Sequence, residues 1–375
     1  MSARFLTVVL ERAFNMRDGF GREIDYMRIS VIDSCNLNCY YCNPCDNNEH
    51  CHALNILSVK EVLCIVRAAT RLGIKHFRLT GGEPLLHPQL DEMVLQIKKI
   101  PGVSSVSLTT NAVLLAQHAK WLKEAGIDSI NVSLDTIDAS EYERITKKPL
   151  LEEVKHGINA AIECGIRVKI NVVLTPQTDV VALTRYVAKK GTDIRFIEMM
   201  PVGEGHTNGV EPYKKVIGTL SKLYGEPCRI NTEKTKEINS GNDKRKIPDN
   251  GPAEYYIFPE LGIRVGLIQA IHGKFCDTCN RIRVTADGRL MPCLGSSVTM
   301  DLVPDSCEFT DDLEKDFVIV QALKAAIKAK PGCHNFNDNA VTYTKTTETK
   351  TTEIKTTELK AAEVNAARNM SRIGG

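Results

Sequence analysis

The sequence predicts an α/β fold, a partial (βα)6 barrel of TIM type followed by a smaller C-terminal α+β domain. Three observations carry that expectation. Six runs rich in β-branched residues alternate with helical patterns from about residue 26 to residue 200, as parallel βαβ units do. After about residue 210 the alternation stops, and short strands follow a polar stretch. The motifs able to carry chemistry stand just past the ends of the predicted strands, where βα barrels place their active sites.

The elements follow in order. "DYMRISVID" reads as the first strand, and a cysteine loop comes next. "SVKEVLCIVRAATRLG" has helical spacing, with Ser58 as N-cap and Gly73 as the stop. "KHFRLT", "VSSVSLTT", "DSINVSL", "RVKINVVL" and "DIRFIEM" supply five more strands, separated by helices such as "NAVLLAQHAKWLKEAG" and "EEVKHGINAAIECG". "TGGEP" follows strand two, "TTN" ends strand three, "SLD" ends strand four and "EMMPVG" ends strand six. Beyond the linker-like "NTEKTKEINSGNDKRKIPDNGP", the segments "AEYYIF", "IRVGLIQA" and "RIRVTADG" read as strands. The expected boundaries are 1–225 for the barrel, 226–340 for the second domain, 341–369 for a tether and 370–375 for a tail. The tether holds a degenerate pentapeptide repeat whose apolar residues Ile354, Leu359 and Val364 recur every five positions. That spacing builds no single helical face, so the segment reads as a solvated spacer.

The 375 residues carry 48 Lys plus Arg against 46 Asp plus Glu, a net charge of +2. That balance gives no reason to expect nucleic acid, and no apolar run is long enough to cross a membrane. The start "MSARFLTVVLERAF" lacks a cleavage pattern. With 13 cysteines, an odd and unevenly spaced number, the expectation is a reducing, cytoplasmic setting. Seven of them (Cys45, Cys51, Cys64, Cys164, Cys228, Cys307 and Cys333) read mostly as ordinary buried thiols.

The other six form two sets. Cys35, Cys39 and Cys42 have C-x3-C-x2-C spacing. Three thiolates leave a structural zinc site one ligand short unless a distant residue completes it. They can also hold three irons of a [4Fe–4S] cluster and leave the fourth iron open to an amine and a carboxylate, the pair that S-adenosylmethionine presents. One-electron reduction of its sulfonium would yield a carbon radical. Gly81 and Gly82 permit close backbone approach, and Glu83 can accept from an amine. Cys276, Cys279 and Cys293 have C-x2-C-x13-C spacing, open to a zinc ribbon completed by His272 or to a second [4Fe–4S] cluster that binds substrate. Arg281 and Arg283, at i and i+2 of a strand, share a face and present two donor forks suited to a polyphosphate.

The cysteine loop, with Tyr41 before its last cysteine and GGEP downstream, resembles the radical S-adenosylmethionine superfamily. More narrowly, "DGFGREIDYMRISVIDSCNLNC", "GPAEYYIFPELGIRVGLIQAIHGKFCDTCNRIRVTADGRLMPCL" and the ending "MSRIGG" resemble the GTP 3′,8-cyclase family, lyases that open molybdenum cofactor biosynthesis. The resemblance covers roughly residues 17 to 335 and the last six. It implies two [4Fe–4S] clusters, on Cys35, Cys39 and Cys42 and on Cys276, Cys279 and Cys293. It implies S-adenosylmethionine contacts from Tyr41, Gly82, Ser133 and Met200, with Gly81 and Glu83 beside them. GTP would meet Arg28, Arg78, Thr109, Lys169, Arg281 and Arg283. Arg28, Arg195 and the tail glycines Gly374 and Gly375 would act in catalysis. The implied chemistry is abstraction of the GTP 3′ hydrogen, attack on guanine C8 and reduction. Implied partners are a reductase, flavodoxin or ferredoxin as electron donor and cyclic pyranopterin monophosphate synthase downstream, and a homodimer is left open. Asn43 replaces the family's Met, Pro44 and the extra Cys45 follow it, Ser34 replaces an Arg, and His76 replaces a long basic residue. These departures keep a paralogue acting on another nucleotide or on a peptide as the alternative.

Overall fold

Twelve strands form one sheet in the order β12-β11-β10-β1-β2-β3-β4-β5-β6-β9-β8-β7. The structure, a computed structural model, describes residues 15–42, 55–202, 210–230, 251–296, 299–302, 312–334 and 336. The expectations for Asn43, Pro44, Cys45, the tether, Gly374 and Gly375 lie outside the described residues.

The six strands expected from the alternation are β1 (Tyr26–Ser30), β2 (His76–Thr80), β3 (Ser105–Thr110), β4 (Ser129–Ser133), β5 (Val168–Val173) and β6 (Asp193–Ile197). They are parallel neighbours throughout. The later strands are β7 (Cys228–Ile230), β8 (Glu254–Ile257), β9 (Arg264–Ile268), β10 (Arg281–Val284), β11 (Arg289–Met291) and β12 (Met300–Asp301). They join both edges of the same sheet. β9 lies parallel to β6 and β10 lies parallel to β1, while β7, β8, β11 and β12 continue outward in antiparallel pairs.

The helices are α1 (Val59–Arg71), α2 (Leu90–Lys98), α3 (Leu115–Glu124), α4 (Ala139–Thr146), α5 (Leu151–Glu163), α6 (Val180–Lys189), α7 (Gly218–Tyr224) and α8 (Asp312–Lys328). α1 begins where Ser58 predicts: Ser58 Oγ accepts from Glu61 N–H at 3.3 Å and Glu61 Oε2 accepts from Ser58 N–H at 2.8 Å, a capping box that satisfies two end groups. Gly73, with φ of +85°, carries the chain out of the helix.

Strand alternation divides the sheet into two unlike faces. One face is apolar: Met27, Ile29, Phe77, Leu79, Val106, Leu108, Ile130, Val132, Ile194 and Phe196 are fully buried in the core. The other carries Tyr26 and Arg28 on β1, His76 and Arg78 on β2, Thr109 on β3, Asn131 on β4, Lys169 and Asn171 on β5, Arg195 on β6, and Arg281 and Arg283 on β10. Parallel sheets ordinarily bury apolar residues on both faces. A buried cationic face is therefore the departure that marks the site.

Candidate active site

The first cysteine set follows the carboxyl end of β1. Its loop docks on the end of α4, with Asn38 N–H donating to the Thr146 carbonyl at 3.0 Å and Tyr40 N–H to the Ile145 carbonyl at 3.1 Å. The end of β2 presses on the loop's start: Gly82 N–H donates to the Ile32 carbonyl at 2.8 Å and Glu83 N–H to the Ser34 carbonyl at 2.7 Å. A Cβ on Gly82 would stand 2.2 Å from the Ser34 carbonyl oxygen, and one on Gly81 2.5 Å from that of Ile32. The glycines thus admit the cysteine loop itself, a closer approach than the sequence reveals.

Burial pushes the Cys35 thiol up to about 11 and Cys42 up to about 12, and raises Cys39 further, with neighbouring thiolates and Asp135 adding to it. Three thiols that disfavour each other's ionisation fit a cationic group bound among them. Asn111, from "TTN", donates through Nδ2 to Cys35 Sγ at 3.8 Å. Tyr41 donates its hydroxyl to Asp135, whose other oxygen accepts from Val173 N–H at 2.7 Å. Burial pushes the Asp135 carboxyl up to about 6. Cys39, Tyr41, Asn111, Ser133 and Asp135 line one cleft. Met200, beyond β6, is half-buried.

The polar face begins below this loop. Strand register sets Arg28 beside both Arg78 and Arg283, Tyr26 beside Arg281, and Asn171 beside Arg195. Arg78 Nη1 donates to Thr109 Oγ1 at 3.4 Å, and Arg195 Nε to Asn171 Oδ1 at 3.0 Å. The Lys169 ammonium stands 5.9 Å from the Tyr255 ring centre. Burial and the neighbouring guanidiniums pull Arg28 well below its usual value, lower Arg281 and bring Arg283 down to about 10. Burial pushes the Tyr26 phenol up, but Arg78, Arg28 and Arg281 outweigh it and leave it lowered. Arg195 Nη2 and Arg283 Nη1 are buried without an acceptor among the described residues. A cluster of like charges with unmet donors fits a bound polyanion. At Gly266, beside Arg195, a Cβ would come 2.8 Å from Arg195 Cγ and 2.9 Å from Tyr255 Cε1, so only glycine lets Arg195 cross β9.

The second cysteine set stands at the opposite end of the strands. Cys279 precedes β10, and the Asn280 carbonyl accepts from Tyr26 N–H at 3.2 Å, at the amino end of β1. β11 runs back against β10, returning Cys293 to the same level. Burial raises the Cys276 thiol, and Cys293 and Cys279 raise it further. Burial also pushes Cys279 up, but Lys330 and Arg281 outweigh it and leave that thiol lowered. His272 stands apart, with Nδ1 bound to Glu198 beyond β6. Among the described residues no group of three or more His, Cys, Asp or Glu closes around a single metal ion.

Sequence reasoning missed Asp135 as the partner of Tyr41, Asn111 as a donor to Cys35, and Lys330 beside Cys279. "SLD" and "TTN" at strand ends were available signals for the first two. Cys64 is buried as expected and Cys164 half-buried, but Cys228 and Cys333 are exposed. Cys45, Cys51 and Cys307 lie outside the described residues.

The Radical SAM superfamily profile matches residues 29–182 and the Molybdenum Cofactor Synthesis C profile residues 192–336. The GTP 3′,8-cyclase of Clostridium perfringens (strain SM101 / Type A) is 36% identical over 324 residues, covering 86% of this chain and 95% of that protein. The GTP 3′,8-cyclase of Listeria monocytogenes serovar 1/2a is 36% identical over 323 residues, covering 85% and 92%. The crystal structure of Streptococcus suis SuiB bound to S-adenosylmethionine superposes with a TM-score of 0.52 at 15% identity, covering 80% of this chain and 65% of that one; this likeness speaks to fold alone. With the relatives matched over nearly their whole length, the chain belongs to the GTP 3′,8-cyclase family of the radical S-adenosylmethionine superfamily.

Proposed function

We propose that this chain is a radical S-adenosylmethionine lyase that converts GTP to (8S)-3′,8-cyclo-7,8-dihydroguanosine 5′-triphosphate, the first step of molybdenum cofactor biosynthesis. The observation that carries the reading is the buried cationic face between two three-thiol sets. A triphosphate needs several converging donors, and Arg28, Arg78, Lys169, Arg195, Arg281 and Arg283 come from five different strands to supply them.

The same residues support a curled sheet. Arg281 on β10 and Arg195 on β6 are six strands apart, which on a flat sheet is about 29 Å. Arg195 nevertheless helps lower the Arg281 guanidinium. A partial barrel closing on the polar face accounts for that proximity. In this reading residues 1–225 form the barrel and residues 226–340 the unit carrying the second cysteine set.

When bound to Cys35, Cys39 and Cys42, a [4Fe–4S] cluster with S-adenosylmethionine supplies a hydrogen-abstracting carbon radical. Tyr41, Gly81, Gly82, Glu83, Ser133 and Met200 border that end. Cys276, Cys279 and Cys293 would hold a second cluster, which would supply the binding site for the guanine. Arg281 and Arg283 with Arg28, Arg78, Thr109 and Lys169 grip the nucleotide, and Arg195 supports them. Gripping base and phosphates together fixes the ribose between the two ends, the orientation a reactive radical requires. A flavodoxin, ferredoxin or reductase gives the electron, and cyclic pyranopterin monophosphate synthase takes the product.

Anaerobic incubation with GTP, S-adenosylmethionine and a strong reductant, read by mass spectrometry, tests the proposal. The expected result is the cyclised triphosphate; cleavage of S-adenosylmethionine with GTP unchanged would overturn it.

A further inference from the structure

The turn after α8, "KPGCH" at 330–334, touches the second cysteine set at several points. Lys330 is only 3% exposed, and its Nζ donates to the Pro292 carbonyl, next to Cys293, at 2.9 Å. The same ammonium helps to lower the Cys279 thiol. His334 Nε2 donates to the Ala270 carbonyl at 2.8 Å. A Cβ on Gly295 would stand 2.9 Å from His334 Cβ, so the loop after Cys293 packs directly on the turn.

Arg22 locks the turn in place. Its Nη1 donates to the Cys276 carbonyl at 2.6 Å and to the Gly332 carbonyl at 2.9 Å, and its Nη2 to the Pro331 carbonyl at 2.6 Å. Asp18 holds Nε at 2.6 Å. One rigid donor fork therefore ties the cysteine loop to the Lys330 turn.

A buried ammonium is costly unless a negative partner offsets it. Here its hydrogen-bond partner is the Pro292 carbonyl beside Cys293, so the opposing charge has to come from the second cysteine set and the group it holds. Arg281 also approaches Cys279, but from the polar face, where a bound triphosphate would draw on its charge. Lys330 comes from the turn after α8, which packs against α1 through an Arg71–Asp316 ion pair at 3.1 Å.

We propose that Lys330 is the positioning and charge-compensating residue of the second cysteine set, raising the reduction potential of the iron–sulfur group held there through the buried ammonium it places beside the Cys293 loop. The proposal rests on the two-cluster reading above. Reduction adds negative charge to such a group, and a hydrogen bond or positive charge at its sulfur favours that state. Removing the ammonium therefore makes the second cluster harder to reduce and leaves the first unchanged.

The test is an EPR-monitored redox titration of the anaerobic holoenzyme, with Cys35→Ala and Cys276→Ala proteins assigning each signal. Lys330→Met should move the second cluster's midpoint to lower potential with the first cluster unmoved. Lys330→Arg, which keeps charge and donors, should restore most of the shift. Unchanged midpoints in a fully loaded Lys330→Met protein would overturn the proposal alone. If Lys330→Met loses its second cluster, retention in Lys330→Arg supports the charge role, and equal loss in both overturns it in favour of packing. A wild-type enzyme with a single cluster would overturn the underlying two-cluster reading and the proposal with it.

Discussion

Glu83 accepts from Leu85 N–H at 3.0 Å and Thr110 Oγ1 at 2.7 Å through one oxygen, and from Asn111 N–H at 2.7 Å through the other. Burial still pushes its carboxyl up to about 7. The fold therefore keeps the proton longer than the unfolded chain does. Burial of Glu83 costs nothing below the unfolded value near 4.5, costs progressively more as pH rises to about 7, and levels off above, by about 3 kcal/mol in all. Denaturant titrations at pH 5, 6, 7 and 8 should show the stability of wild type relative to Glu83→Gln falling up to pH 7 and flat beyond. A constant difference would refute the buried-carboxyl account. On the polar face, Arg281→Ala and Arg283→Ala should each weaken GTP binding by roughly 1.5–3 kcal/mol while S-adenosylmethionine binds as before. Calorimetry with both ligands separates that outcome from misfolding, which would weaken both.

Among the elements, the β2 end and the cysteine loop form one unit, because the contact at Gly82 is backbone against backbone. Neither side can swing away as a flexible side chain would. On the proposed two-cluster reading, Gly82→Ala should displace the loop and drop the iron content from about eight to about four per chain. Ser58→Ala is the control: it removes the α1 cap, costing about 1 kcal/mol, and should leave iron unchanged. Anaerobic iron assay with thermal melts compares the two, and full iron in Gly82→Ala would show that the loop tolerates the change. β1 to β6 and α1 were legible because β-branched runs, helical periodicity and capping residues are local signals. The destinations of β9 and β10 were not, since nothing in "RVGLI" or "RIRV" says which sheet edge a strand will join. For the same reason nothing in the sequence marks Lys330, and Arg22 and Cys276, 254 positions apart, gave no hint of their contact. Arg281 and Arg283 were legible because their i, i+2 spacing fixes a shared face wherever the strand docks.

At the scale of the whole molecule, the parallel pairing of β1 and β10 puts the two cysteine sets at opposite ends of the polar face. Cys279 adjoins the amino end of β1 and Cys35 follows its carboxyl end. The five residues of β1 between them span about 16 Å, room for a nucleotide but too far for the sets to share one small ligand. Loss of either set should therefore have its own consequence. Cys35→Ala should abolish reductive cleavage of S-adenosylmethionine and, with it, all cyclisation. Cys276→Ala should retain measurable cleavage, because the first set, Glu83 and the Asp135–Tyr41 pair are untouched, yet yield no cyclised product if, as proposed, the second set anchors the guanine. Quantifying 5′-deoxyadenosine and the cyclised nucleotide in the same anaerobic reaction reads both effects at once. A Cys276→Ala enzyme that still cyclises GTP at the wild-type rate would mean that the second set only braces the sheet edge where β10 meets β1.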